Sequence, residues 1–443
     1  MEKKNRIFII MMIAMVLGYL PWYNFSAVLS DIVEEFGLSS RDTGMILSAF
    51  QVGYVIVVLF TGWLSDKVGP KKVVAWATLI TAISSTLFVV LARGFMSILV
   101  MRLVTGLSAG AIYVPGMSLL SNWFPKKERG KVIGAYTAAL TMAYAGGYFI
   151  AAPLASRYSW EVGMLATSLP VFVAAALVFV YVKEKPEEKN GHVPGKEARA
   201  ADTYGEDGKP HKPKEGSKER TAGAEGKAAP AGGYRGPVLI TTGYMGHMWE
   251  LYAFWGWIGP FMVASALAAG YEESRALALG GQMAAMIILL GAPGAWIFGV
   301  VADRWGRINT LMLASIASLT AQLFFGFLYG RSMVLVFIVG LWIGLWVVAD
   351  SGIYKAGLTE MTEEGIRGTA LGVQSAVGYG MTMLSPFVFG TVLEAFNKGA
   401  ADPTGAVHWG VPFMMLGIGA LLAPISGLLL KRSPQAKLMN EKQ

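Results

Sequence analysis

Two ionisable residues stand three positions apart inside a strongly apolar stretch, His247 and Glu250 in GYMGHMWELYAFWGW. On a helix that spacing puts them on one face. A carboxylate beside an imidazole in low-dielectric surroundings can exchange a proton near neutral pH. The competing reading is a structural hydrogen bond that pins two helices together. A second apolar stretch carries Trp342, Trp346, Asp350 and Tyr354 at successive steps of four. They are predicted to form a slowly drifting stripe on one helix face. Lys355 lies off that stripe, where it either snorkels toward an interface or meets a substrate. Arg102 interrupts a third apolar run. Aromatics crowd around these groups: Trp249, Tyr252, Phe254, Trp255 and Trp257 flank Glu250, and Tyr19, Trp22, Tyr23 and Asn24 fall together near the N-terminus. Cysteine is absent and only four histidines occur, so thiolate, iron–sulfur and His-rich metal chemistry have no ligands; no metal site is expected.

The elements that position these groups are read from hydropathy. Of the 443 residues 54% are hydrophobic and 15% charged, and mean hydropathy is +0.50. A soluble domain carries about a quarter charged residues. Apolar runs of the length needed to cross a bilayer, about 20 residues, are predicted at 7–30, 43–65, 73–92, 95–121, 131–155, 160–182, 237–268, 275–302, 310–329, 332–358, 368–393 and 409–430. The fold class expected is all-α and integral to the membrane, with twelve transmembrane helices. The first run is too long for the apolar core of a typical signal peptide. Glu250 lies about 12 residues into the seventh run, or about 18 Å along the helix, near the midplane of a ~30 Å core. An ionisable group there costs about 2.5–3.5 kcal/mol on the insertion scale and needs a reason.

Placing the N-terminus in the cytoplasm puts 29 of the 37 Lys and Arg on the inner side and 6 on the outer. The protein is therefore expected to be multi-pass in the cytoplasmic (inner) membrane, with both termini in the cytoplasm. The net charge of +8 reflects this topology and not nucleic-acid binding. Residues 183–236 are rich in Gly, Pro and charge, and read as a flexible linker between a bundle at 1–182 and another at 237–443.

The two halves repeat each other. GWLSDKVGPKK begins at Gly62 and GVVADRWGRIN at Gly299; Gly62, Asp66 and Gly69 recur 237 residues on as Gly299, Asp303 and Gly306. RGKVIGAYTA at Arg129 recurs as RGTALGVQSA at Arg367, where Arg129, Gly130, Gly134 and Ala138 match Arg367, Gly368, Gly372 and Ala376. Parallel six-helix halves are a transporter architecture with the substrate between them.

On these residues the chain resembles the major facilitator superfamily over nearly its whole length. Gly62, Leu64, Asp66, Lys67, Gly69 and Lys71 fit its G-x-L-x-D-K/R-x-G-x-K/R signature, with Pro70 replacing a usual basic residue; the second copy keeps Gly299, Asp303, Arg304, Gly306 and Arg307. Arg102, Gly106 and Gly110 resemble the Arg–Gly pattern of its fourth helix. The resemblance implies alternating access by rocking of two pseudo-symmetric bundles and a gating role for the motifs, with Arg129 and Arg367 as partners of Asp66 and Asp303. Gly62 and Gly299 would let a neighbouring helix approach closely.

The resemblance also implies that helices 1, 4, 7 and 10 line the cavity. The expected proton-coupling residues are then Glu250, His247, Asp350 and Arg102. The expected substrate contacts are Tyr19, Tyr23, Asn24, Tyr252, Trp255, Trp346, Tyr354 and Lys355. Carboxylates among aromatic faces suit a cation; Arg102 and Lys355 suit an anion. The nitrate/nitrite signature is absent, and Met142 and Ala143 stand where drug antiporters carry Gly-Pro. The expected function is secondary active transport of a small solute, with proton-coupled symport of an organic ion or nutrient ahead of proton-driven efflux. Sodium is the rival coupling ion and a non-transporting solute sensor the rival class. No P-loop or catalytic cluster supports a pump or an enzyme. The expected partners are the bilayer and a small molecule, with the protein a monomer and no resident cofactor.

Overall fold

The computed structural model describes residues 3–184, 233–363, 366–398 and 405–440. The fold is all helix, with no strand among the described residues. Twelve helices are long and apolar enough to cross a membrane. They are α1 (Lys3–Trp22), α2 (Ser40–Val68), α3 (Pro70–Leu91), α4 (Phe95–Trp123), α5 (Val132–Arg157), α6 (Trp160–Tyr181), α7 (Arg235–Ala268), α8 (Glu273–Trp305), α9 (Arg307–Leu328), α10 (Met333–Glu360), α11 (Thr369–Phe396) and α12 (Gly410–Lys431). Most of the expected linker, 185–232, lies outside the described residues.

The first span ends earlier than hydropathy suggests. Its α-helix stops at Tyr19 and tightens into a 3-10 turn over Leu20–Trp22, followed by short helices Asn24–Ala27 and Leu29–Phe36. Pro21 lacks an N–H and cannot continue the ladder. Span α4 is also broken, between Ala109 and Tyr113, and α10 between Trp346 and Ser351. Broken spans are tolerated where protein or a cavity covers the freed backbone groups. Span α7 runs unbroken for 34 residues and is the most deeply buried of the twelve.

The sequence repeat is a structural repeat. Gly69 ends α2 at φ 93° and ψ 137°, and Gly306 ends α8 at φ 94° and ψ 140°. A positive φ is the conformation that glycine adopts without steric cost, so both copies make the same turn into the next helix.

The two bundles meet at the face opposite the termini. Spans α2 and α11 pack together there, as do α5 and α8. A Cβ on Gly44 of α2 would lie 2.7 Å from the Pro386 carbonyl oxygen of α11, so only glycine admits this approach. The Arg41 amide donates to Glu394 Oε2 at 2.9 Å, and Ser39 and Asp42 form a capping box at the start of α2. The closed face also gathers Asp31, Glu34, Glu35 and Glu161 of the first half with Glu273 of the second. Burial first, then the charge of Glu273, pushes the Asp31 carboxyl up to about 6. At the termini-side face the bundles stand apart. A Cβ on Gly62, Gly134, Gly299 or Gly372 would meet nothing within 4 Å. The close approach expected at Gly62 and Gly299 is thus not made in this conformation.

Candidate functional site

In the first half the site is built from two helix breaks that brace each other. Arg102 of α4 donates from Nη1 to the Pro21 carbonyl and from Nη2 to the Trp22 carbonyl, each at 2.9 Å. In return the Tyr19 hydroxyl donates to the Ala109 carbonyl at the α4 break, also at 2.9 Å. The guanidinium plane lies against Phe50 and Phe25, at 4.4 and 5.1 Å from the ring centroids. Arg102 is buried and has no carboxylate partner among the described residues. Its partners are backbone carbonyls, which the broken α1 leaves free at Pro21 and Trp22.

The second half braces α7 against the α10 break. His247 Nδ1 lies 2.9 Å from Asp350 Oδ1, and His247 Nε2 lies 2.9 Å from Ser351 Oγ. Both His247 and Asp350 are buried. Glu250 does not join them; it accepts a hydrogen bond from Ser318 Oγ of α9. The expected His247–Glu250 pair is therefore corrected: each residue is held by a different neighbouring helix. Tyr354 packs beside this group, with ring centroids 5.6 Å from His247 and 5.7 Å from Tyr244.

Between the bundles lies a plug of rings. Trp22 contacts Tyr19, Phe50, Tyr54 and Tyr144 at 4.7–5.4 Å and reaches Tyr252 at 6.2 Å. Tyr23 and Tyr144 approach Trp255 at 6.2 and 5.3 Å. The Tyr148 hydroxyl donates to the Trp255 carbonyl at 2.8 Å. Four expected substrate contacts, Tyr19, Tyr23, Tyr252 and Trp255, thus come together here. Tyr379 of α11 meets Tyr54 of α2 at 5.7 Å across the bundles. Lys355 is exposed although protein atoms surround it densely.

Two expected contacts turn away. Asn24 donates to Thr167 Oγ1 of α6 at 2.8 Å, inside its own bundle. Trp346 packs on Phe298 of α8 at 4.3 Å and on Ala314 of α9. The α10 break follows directly on Trp346, so the expected stripe does not carry through to Asp350 and Tyr354. Sequence reasoning missed Tyr54, Tyr144, Tyr148, Tyr379 and Ser318. The spacing of four between Tyr144 and Tyr148, with Tyr136 two turns earlier, was a usable signal for α5.

The motif expected to act as a gate makes contacts only within its own half among the described residues. Asp66, Lys67, Asp303 and Arg304 are exposed. Lys67 lies over the Trp63 ring at 4.2 Å, and Asp303 contacts Arg307 at 3.5 Å within its own helical turn. Arg307 pairs with Glu360 at 2.7 Å. Arg367 does not reach Asp303; its Nε donates to the Thr359 carbonyl at 3.0 Å, capping the end of α10. The Arg129 side chain lies outside the described residues. Open separation of the termini-side face accounts for the missing Asp–Arg pair in the second half.

Twelve spans in two repeated bundles, with broken helices and buried ionisable groups near the seam between them, define a membrane transporter. The chain belongs to the Major Facilitator Superfamily, whose profile matches residues 11–354. It is a multi-pass secondary transporter and not an enzyme. A hexuronate transporter of Bacillus subtilis (strain 168) is 29% identical over 45% of this chain and 47% of its own length, so that match spans about half of each protein. A probable sulfoacetate transporter of Cupriavidus necator is 25% identical over 98% of this chain and 97% of its own. A cis,cis-muconate transport protein of Acinetobacter baylyi is 24% identical over 88% and 87%. Among solved structures, a bacterial homolog of the human lysosomal transporter Spinster superposes with a TM-score of 0.75 at 14% identity, covering 97% of each chain. The nucleoside transporter NupG gives 0.68 at 12%, covering 97% of this chain and 99% of its own.

Proposed function

We propose that the protein is a proton-coupled transporter of small organic anions in the cytoplasmic membrane, with both termini in the cytoplasm. The observation that carries this reading is Lys355, a water-accessible cation deep in the second bundle with no partner among the described residues. A lone ammonium in such a place attracts a carboxylate or sulfonate. Relatives named for hexuronate, sulfoacetate and muconate transport agree in ligand charge. Tyr19, Tyr252, Trp255 and Tyr379 then form the wall that closes the far side of the cavity, and Glu250 with the His247–Asp350 pair supplies the proton-coupling groups. The conformation, closed opposite the termini, is the inward-open state.

Reconstitution into liposomes with labelled hexuronates, sulfoacetate, muconate, organic cations and neutral sugars tests the reading. Anions alone should accumulate when the interior is made alkaline, with no requirement for sodium. Lys355→Gln should raise KM for the anion at least about ten-fold, equal to about 1.4 kcal/mol of lost binding. An unchanged KM removes Lys355 from the substrate site, and cation accumulation removes the anion reading.

Asp66 is expected to pair only when the termini-side face closes. Asp66→Ala should therefore slow transport and raise the inward-open population while leaving the melting temperature unchanged. Cysteine reporters introduced on the cytoplasmic halves of α5 and α8 measure that population, and the chain has no native cysteine to interfere. Unchanged labelling together with full transport would count against the latch.

A further inference from the structure

Arg102 is a buried cation without a counter-charge among the described residues. Two of its nitrogens are taken by the carbonyls of Pro21 and Trp22, and its Nε–H has no partner among the described residues. Near it Gln51 Oε1 is also unpaired, and Trp22 Nε1 and the Tyr23 hydroxyl have no side-chain partner beyond their own mutual approach. Their side chains are at most 4% exposed. With Arg102 they line an enclosed cavity of about 10 Å³. That is the space one water-sized particle requires. The other wall is Tyr252, Gly256 and Pro386, all from the second bundle.

The donor count decides what suits this space. Arg102 Nε and the Tyr23 hydroxyl each offer a hydrogen, and the Gln51 amide offers two more after a half-turn that exchanges its ends. A water placed here would bring two further hydrogens to a site whose acceptors are the Tyr23 oxygen, already faced by Trp22 Nε1, and a Gln51 oxygen that can rotate away. It would also leave the guanidinium charge unbalanced in a low-dielectric core, where an unpaired ion is costly. A particle that accepts from every side and carries one negative charge resolves both deficits.

We propose that this cavity is a binding site for a compact monovalent anion, either a halide or a single carboxylate group. The Leu47 side chain in its wall is the flexible element that gives the slightly larger ion room. Because one wall belongs to each bundle, the complete site exists only while the bundles meet at the closed face. Anion binding therefore stabilises the inward-open state and slows opening to the outside. The inference does not depend on which solute the protein carries.

Thermal melting of the purified full chain in detergent tests it, with chloride, formate and sulfate compared at equal ionic strength. Chloride or formate should raise the melting temperature saturably by several degrees, and sulfate, too large for the cavity, should give only the unsaturable rise of an excluded salt. A response to chloride alone identifies a free halide, and a response to formate identifies a carboxylate group. Gln51→Glu places a tethered carboxylate in the cavity. This variant should melt higher than the parent in sulfate and lose the chloride response. If it does not fold, Trp22→Phe deletes the donor that faces the Tyr23 oxygen and should weaken half-saturation by chloride several-fold. The absence of a saturable rise of the unmodified protein with both chloride and formate overturns the proposal and leaves the cavity to water.

Discussion

Glu250→Gln is expected to reduce pH-driven accumulation to the level of empty liposomes while leaving counterflow intact. The glutamine oxygen accepts the same hydrogen bond from Ser318 that the carboxylate accepts, so α7 and α9 stay joined and the fold is spared. Only titration is lost. Counterflow exchanges solute for solute and needs no net proton movement, whereas accumulation against a gradient does. The companion variant Asp350→Asn keeps an oxygen for His247, which it meets at 2.9 Å, but removes the carboxylate charge that faces the imidazole. If Asp350→Asn fails to accumulate solute and Glu250→Gln succeeds, the relay is the His247–Asp350 pair and Glu250 is structural. If both variants accumulate solute normally under a pH gradient, proton coupling through these groups is refuted, and replacing sodium exposes the rival ion.

Arg102→Met carries the second large effect, on both stability and transport. Methionine fills much of the volume but leaves the Pro21 and Trp22 carbonyls without donors. Each orphaned buried group costs about 1–3 kcal/mol, and relief from burying a guanidinium offsets part of the sum. A melting temperature lower by several degrees is expected, with transport lost because the α1 break positions Tyr19, Trp22 and Tyr23 in the aromatic plug. Arg102→Lys should rescue little. An ammonium on a flexible stem lacks the planar fork that spans two carbonyls at once. Normal melting and transport in Arg102→Met would show that the α1 break holds its shape without this brace.

The sequence by itself determined the number of spans, their approximate limits, the two-fold repeat and the depth of the ionisable groups. These follow from local properties. A run of apolar residues must be helical in a bilayer because every backbone group needs an internal partner. The matching turns at Gly69 and Gly306 follow from the residue that both copies keep there. Pro21 carried a signal for the break in α1, yet the apolar run reads straight through it to residue 30. Partnership was another matter. His247 and Glu250 share a helix face by spacing, yet Asp350 of α10 takes one and Ser318 of α9 takes the other. Residues on one helix point the same way without touching each other, and the neighbouring helices decide what each one meets. The break in α10 contains no proline and left no mark in the sequence pattern. Only the packed structure turned Trp346 outward against Phe298 while leaving Tyr354 beside His247. The partners of Arg102 likewise depended on where a distant broken helix placed its carbonyls. Local hydropathy sets which residues lie inside the membrane, but the rotation and interruption of each helix, settled by contacts far apart in the chain, set which groups meet.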